Sequence, residues 1–269
     1  MPPGLPYCLP QHLRPLTWTL SAGVPLAGYE VDKLSDMDPS FQLWLAGASI
    51  DARADQATAL RVDGLVVYHH NFAEGTTLRV QMHTDNASWG GATAVDLSVD
   101  VGPWMGRWAP HIFFNIKAAV PVIGDRTKRY IRVTNTDANN APIQIGELLT
   151  LEEIKSTTNG VLMALTKNIT YGRSMASGKK GPVYIHDRRT RDRRWDGMLL
   201  PHSGDPAFHK EWQDASFGVE PFVVWPENDL TREPILARFT DPTYSSTYVT
   251  HDVEDSAFQI EELSCGEAY

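Results

Sequence analysis

Residues 129–151, RYIRVTNTDANNAPIQIGELLTL, constrain the fold more than any other stretch. In 130–134, Ile131 and Val133 fall on one face, and Tyr130 and Arg132 on the other. That period-two alternation marks a half-buried strand. A second apolar run follows: Ile143, Ile145, Leu148, Leu149 and Leu151. Between the two lie Asn135, Thr136, Asp137, Ala138, Asn139 and Asn140, rich in residues that bond their own backbone and tolerate turn conformations. Gly146 interrupts the second run and marks either a bulge or a close backbone approach. Two such strands joined by so polar a loop predict a β-sandwich with the loop at one end.

A second stretch, residues 60–82, has the same character. Residues 65–68 are a compact apolar run, and Ala73-Glu74-Gly75-Thr76 is a turn. Leu78, Val80 and Met82 then alternate with Arg79, Gln81 and His83. The sequence LVVYHHNFAEGTTLRVQ (65–81), followed by RYIRVTNTDANNAPIQIGEL (129–148), resembles jelly-roll domains of the galactose-binding-like type in tail-tip proteins of tailed phages. The pair His70-Asn71 at the end of an early strand and the pair Ile145-Gly146 carry the resemblance, which covers residues 40–155. His69 and the segment 95–108 depart from the pattern.

Composition favours the same class. Eighteen prolines and twenty glycines in 269 residues divide the chain into short strands and turns. The net charge of −9 gives no global attraction to nucleic acid or to an anionic membrane. No apolar run approaches the roughly eighteen residues of a membrane span. The first residues lack the basic start and apolar stretch of a signal peptide, so folding in a reducing cytoplasm is expected. Cys8 and Cys265 are then expected as two free thiols, a terminal disulfide being the alternative.

Three segments are expected: an extended N-terminal arm (1–39), the jelly-roll sandwich (40–155) and a smaller C-terminal β domain (156–269). The arm has prolines at 2, 3, 6, 10 and 15, too many for a core strand, and a short strand is expected after them at 16–20. Its Leu5, Tyr7, Leu9, Leu13, Leu16 and Trp18 are costly to leave in water, so it is read either as a disordered leader or as an arm lying on a neighbouring subunit. The polar segment 152–160 reads as the boundary between the two β regions. Beyond it, 173–194 carries eight basic residues, including Arg188, Arg189, Arg191, Arg193 and Arg194, against Asp187 and Asp192. In an acidic chain this reads as a solvated hairpin or a surface that meets an acidic neighbour. Nucleic acid is disfavoured because no aromatic platform accompanies the charge. Residues 208–213 suggest a helical turn. Strands are expected within 217–226, as an apolar run framed by prolines, and at 235–239, 244–249 and 258–263. The order of these elements is similar to the C-terminal domain of the same tail proteins.

No nucleophile elbow, phosphate-binding glycine loop, HExxH motif or cysteine pair for zinc is present. His69 and His70 are adjacent on a strand end and point to opposite faces, so they do not share a metal; one packed and one exposed histidine is expected. The adjacent pairs Glu152-Glu153 and Glu261-Glu262 suit no glycosidase geometry. Asp137, Asn139 and Asn140 offer oxygen ligands for a structural calcium, though all three are also ordinary turn residues. No cofactor and no catalysis are expected. The resemblance implies a structural component of a tail tip or baseplate, assembled in the host cytoplasm into the virion tail as a homo-oligomer. It would link the tail tube to hub or fibres, with Tyr7, Trp18 and the five arginines as subunit contacts. The alternative is a carbohydrate-binding module that holds a host glycan with Trp89, Trp104, Trp108 and Asn139. Core burial of those tryptophans is the competing expectation.

Overall fold

The computed structural model describes residues 5–37, 42–87, 89, 95–103, 111–135, 142–156, 166–176, 184–203, 220–226, 229–240, 246–250 and 253–263. For 166–176, 184–203, 246–250 and 253–258 the description is of backbone pairing alone. In chain order the strands are β1 (Pro6–Cys8), β2 (Leu13–Arg14), β3 (Trp18–Ala22), β4 (Leu43–Leu45), β5 (Asp51–Arg61), β6 (Gly64–His70), β7 (Thr77–His83), β8 (Val95–Asp100) and β9 (Ile112–Phe114). A single helical turn, α1 (Ile116–Ala119), precedes β10 (Thr127–Asn135), β11 (Ile143–Leu151) and β12 (Lys155–Ser156). Then come β13 (Thr166–Ala176), β14 (Tyr184–Ser203), β15 (Phe222–Val224), β16 (Ile235–Phe239), β17 (Ser246–Thr250) and β18 (Val253–Glu262).

The fold is an all-β sandwich with a third sheet packed on it. One sheet runs β3-β5-β10-β7-β8; the other runs β2-β11-β6-β9, with β4 also on β11. Their inner faces close a core that includes Trp18, Leu45, Val67, Val80, Phe114, Ile131, Val133 and Ile145. The alternation legible in the sequence sets this face: Ile131 stands opposite Met82 on one side and Ala54 on the other, and one register step would turn all three outward.

The third sheet runs β12-β1-β15-β16-β18-β14-β13, with β17 on β18. It lies on the outer face of the second sheet, where Val66, Tyr68, Leu149 and Leu151 meet Val223, Trp225 and Leu236. Strand β6 is therefore buried on both faces along its whole length. A strand covered on both sides reads as a continuous apolar run rather than an alternation, which accounts for LVVY at 65–68.

Residues 5–14, expected in an arm either disordered or lying on a neighbour, fold into this chain, and the strand expected at 16–20 forms as β3. β1 inserts between β12 and β15, with Tyr7 opposite Val224 and Lys155, and β3 is an edge strand of the sandwich. The prolines do not prevent this. Pro6 begins β1, while Pro10 begins a short 3-10 turn, positions where a missing N–H is tolerated. Leu5, Tyr7 and Leu9 alternate into a core on the far face of the third sheet, and Cys8 into the core shared with the sandwich. Cys8 is a buried free thiol, and burial pushes its pKa well above the ordinary value. Cys265 lies outside the described residues, as do 208–213 and residues 157–160 of the expected 152–160 boundary. Among the described residues no helix is long and apolar enough to cross a membrane.

One irregularity positions the site described next. Leu65 and Val67 face the sandwich core, while Val66 and Tyr68 face the third sheet. Continued alternation would place His69 in the sandwich core. Instead His69 has a φ of 49°, in the left-handed region rarely adopted outside glycine. Its ring lies beside Tyr68 at a centroid distance of 4.3 Å. The phase of β6 shifts there, so that His70 pairs with Ile145 of the sandwich core. Gly146 makes the shift possible: a Cβ at that position would stand 3.0 Å from His69 Cβ and 3.1 Å from the Tyr68 carbonyl oxygen. Of the two sequence readings of Gly146, close backbone approach is the one realised.

Candidate functional site

Two places bring together side chains with chemistry to offer. The first is the loop end of the sandwich, where β10 stops at Asn135 and β11 starts at Ile143. Asn135 braces this end: its Oδ1 accepts from the Ile50 amide at 2.8 Å and its Nδ2 donates to the Ala48 carbonyl at 3.0 Å. Asn71, of the His-Asn pair, does the same on the other side. Its Nδ2 donates to the Pro142 carbonyl at 2.8 Å and its Oδ1 accepts from the Gln144 amide at 2.8 Å. These bonds fix both ends of the polar loop.

Beside that loop, on β4, Trp44 pairs with Gln144 of β11. Its ring stacks on Tyr29 at a centroid distance of 4.5 Å and an interplanar angle of 19°. Backbone bonds hold the pair: the Leu26 amide donates to the Trp44 carbonyl at 2.8 Å, and the Trp44 amide to the Tyr29 carbonyl at 3.3 Å. Trp44 Nε1 donates to Gln42 Oε1 at 3.3 Å. Both rings are half-buried, while Val24 and Leu26 in the same segment are 70% and 37% exposed. The result is an apolar, aromatic surface with the partly exposed Gln144 beside it. Neither aromatic drew notice in the sequence, because LWL at 43–45 reads as any short strand.

The second place lies between the sandwich and the third sheet. His69, His111 just before β9, and Glu262 at the end of β18 are all buried, with one ligand atom of each within 4.8 Å of the others. His111 Nε2 is 3.4 Å from Glu262 Oε1 and 3.5 Å from Glu233 Oε1. His111 Nδ1 accepts from the His69 amide at 3.2 Å. His69 Nε2 lies 3.4 Å from the Leu263 carbonyl. The Tyr68 hydroxyl donates to Glu262 Oε1 at 3.0 Å. The expectation of one packed and one exposed histidine fails: His69 and His70 are both buried, because the third sheet covers the end of β6. They do part company as expected, His70 packing against Phe72 at 5.3 Å. No local pattern points to the cluster, since His111 and Glu262 are 151 residues apart.

Of the tryptophans expected to meet a sugar, Trp89 is 7% exposed. It lies against the outer face of the first sheet, with the Arg53 and Arg132 guanidinium carbons 5.9 and 5.8 Å from its ring centre. Its Nε1 donates to Asn86 Oδ1 at 3.2 Å. Two cations over the ring and so little exposed surface leave it no room for a pyranose face. Trp104, Trp108 and Asn139 lie outside the described residues, as do Asp137 and Asn140, the expected calcium ligands. Tyr7 and Trp18, expected as subunit contacts, are 1% and 3% exposed inside this chain's own cores. Burial at home satisfies the apolar surface that suggested a neighbour. The pair Glu152-Glu153 is tied up in ion pairs, Glu152 with Arg14 and Glu153 with Arg61.

The five arginines lie on β14, which pairs with β13 from Asp196 back to Tyr184 but with β18 only over Arg194–Ser203. The hairpin therefore extends past the sheet as a two-stranded ribbon carrying Arg188, Arg189, Arg191 and Arg193, with Arg194 at its root. The register shifts between Tyr171 and Arg173, so Arg188, Arg189 and Thr190 stand against Gly172 alone, a bulge that bends and twists the ribbon.

No protein-family model matches this chain and no curated protein matches it. Among solved structures it is similar to CBM32-1 from a family 31 glycoside hydrolase of Clostridium perfringens, at 14% identity over 52% of this chain and 97% of that one, with a TM-score of 0.40. It is similar also to a fucose-binding module of Streptococcus pneumoniae, at 15% identity, 51% and 92% coverage and a TM-score of 0.37. A third is chitosan-binding module 1 from a chitosanase/glucanase of Paenibacillus sp. IK-5, at 12% identity, 54% and 98% coverage and a TM-score of 0.37.

Proposed function

We propose that this chain is a non-catalytic recognition protein whose sandwich binds carbohydrate at its loop end, on the Tyr29–Trp44 surface. The observation that carries this reading is the stacked, half-exposed aromatic pair beside the braced polar loop. A pyranose ring has an apolar face that fits an aromatic surface, and hydroxyls that need planar amide partners nearby. Gln144, partly exposed on β11 opposite Trp44, supplies such an amide; the Gln42 amide is buried against the Trp44 indole and that of Asn71 is committed to the backbone. A binding surface needs few polar groups if they converge on an apolar one. The reading agrees with the names of the three solved modules but does not rest on them.

A glycan array followed by calorimetry tests it. Trp44→Ala is expected to weaken the best glycan at least tenfold, equivalent to about 1.4 kcal/mol, with the unfolding curve little changed. Binding that is unaltered in both Trp44→Ala and Tyr29→Ala sinks the site.

The ribbon favours a second reading, the one implied by the resemblance to tail-tip proteins: a structural subunit that docks on its neighbours. Eight of the chain's 24 Lys and Arg lie in 173–194, against two of its 33 Asp and Glu, so the remainder carries a net −15. A basic projection on an acidic body is complementary to a second copy. Light scattering of the wild type is expected to show an oligomer that Arg188→Glu with Arg189→Glu dissociates. A monomer at every salt concentration speaks against self-docking.

A further inference from the structure

We propose that His69, His111 and Glu262 bind one zinc ion, with Glu233 as the fourth ligand, and that this ion fastens the sandwich to the third sheet. The inference is independent of what the loop end binds. Zinc takes nitrogen and oxygen ligands at about 2.0–2.1 Å in a tetrahedron, which puts neighbouring ligand atoms roughly 3.4 Å apart. His111 Nε2 already stands 3.4 Å from Glu262 Oε1 and 3.5 Å from Glu233 Oε1. The His69 ligand atom is within 4.8 Å of those of His111 and Glu262, so a shift of about 1.4 Å brings these three into place, and the partly exposed Glu233 closes on the ion when it binds.

The surroundings fit a metal centre as well. A ligating histidine usually directs its other ring nitrogen to a carbonyl, which fixes the tautomer, and ligating carboxylates are themselves hydrogen-bonded. His69 Nε2 faces the Leu263 carbonyl, which leaves Nδ1 as the ligand. The Tyr68 hydroxyl donates to Glu262. The left-handed backbone of His69, accommodated by Gly146, aims that ring at the third sheet rather than into the sandwich core. Strain of this kind persists where the surroundings over-determine it. For His111 to ligate through Nε2, its proton must sit on Nδ1. Nδ1 now accepts the His69 N–H at 3.2 Å, so zinc binding requires the His111 ring to turn off that amide.

The donor set selects the ion. Two imidazoles exclude calcium and magnesium, which take oxygen ligands, and suit zinc. Burial of His69, His111 and Glu262 matches a closed structural centre rather than a catalytic one with an open position. His69 and His111 belong to the sandwich, Glu262 and Glu233 to the segments of the third sheet, so the ion joins parts that are distant in sequence.

The test uses the full chain without a polyhistidine tag, stripped with EDTA and titrated with zinc. One equivalent is expected to bind, and at about 100-fold excess over the dissociation constant the melting temperature rises by roughly 5–10 °C. Cobalt(II) in place of zinc gives the intense visible absorption of a tetrahedral site, a readout that needs no variant. Glu262→Gln, which keeps the size of the side chain and its bond with Tyr68, and His111→Gln each weaken zinc at least tenfold and remove the melting shift. Binding below about 0.1 equivalent, with identical melting in zinc and EDTA, overturns the proposal. So does a zinc shift that survives both substitutions.

Discussion

Asp63→Ala is expected to lower the unfolding free energy by about 3–5 kcal/mol, because it leaves a buried cation without its counter-charge. Asp63 is fully buried in the turn between β5 and β6. Its carboxylate accepts from Arg61 at 2.8 and 2.6 Å, from Arg126 Nε at 2.9 Å and from the Ile154 amide at 3.1 Å. Its backbone carbonyl accepts from the Lys117 amide at 2.8 Å. One side chain thus ties the β5–β6 turn to the approach to β10 and to the segment entering β12. Arg126 is itself buried, so truncating Asp63 costs far more than losing a surface pair.

The same contacts set a pH dependence. Burial pushes the Asp63 carboxyl up, but bonds from Arg61, the Ile154 amide and Arg126 outweigh it and hold the pKa below the ordinary aspartate value. Asp51 follows the same pattern: burial raises it, and Arg132 and Arg53 bring it below. A folded-state pKa below the unfolded one gives stability that is full above the unfolded value, about 3.9. It is lost as pH falls through the folded value. Urea titrations of the wild type should therefore weaken steadily below pH ~4. Asp63→Asn should show a shallower fall, with a remainder from Asp51. An unchanged acid limb in Asp63→Asn would remove Asp63 from this account.

Trp225→Ala is expected to cost about 3–5 kcal/mol, the usual range for emptying a buried aromatic site. Trp225 is fully buried between the sandwich and the third sheet, edge-on to Phe113 at 4.8 Å. Its amide donates to the Pro6 carbonyl at 3.1 Å, so it also holds β1 in place. The loss should appear as a melting temperature lower by roughly 10 °C. It should also separate the unfolding of the third sheet from that of the sandwich, read as two transitions by tryptophan fluorescence and far-UV circular dichroism. A cost under about 1 kcal/mol would mean that the layers are not packed as described.

Much of the strand content was legible because it is written in local patterns. β7, β10 and β11 fall where period-two alternation places them. β15 and β16 fall within the strands expected in 217–226 and at 235–239. Asn71 was legible only as one of the pair that carries the resemblance; its bracing of Pro142 and Gln144 was not. Nor was the candidate site. Trp44 and Tyr29 meet only because the segment before β4 folds back on it, and the expected sugar contact Trp89 instead lies against Arg53 and Arg132 of the first sheet.

By itself, the sequence determined the class of fold, the places of the principal sandwich strands and which face of β7 and β10 turns inward. Those follow from alternation and turn chemistry, which act over a few residues. Only the tertiary structure decided that β1 enters the third sheet and that β6 is covered on both faces. It alone turned His69 toward His111 and Glu262. Each of these depends on contacts between segments far apart in the chain, where the burial gained by the whole assembly, and not any local preference, selects the partner.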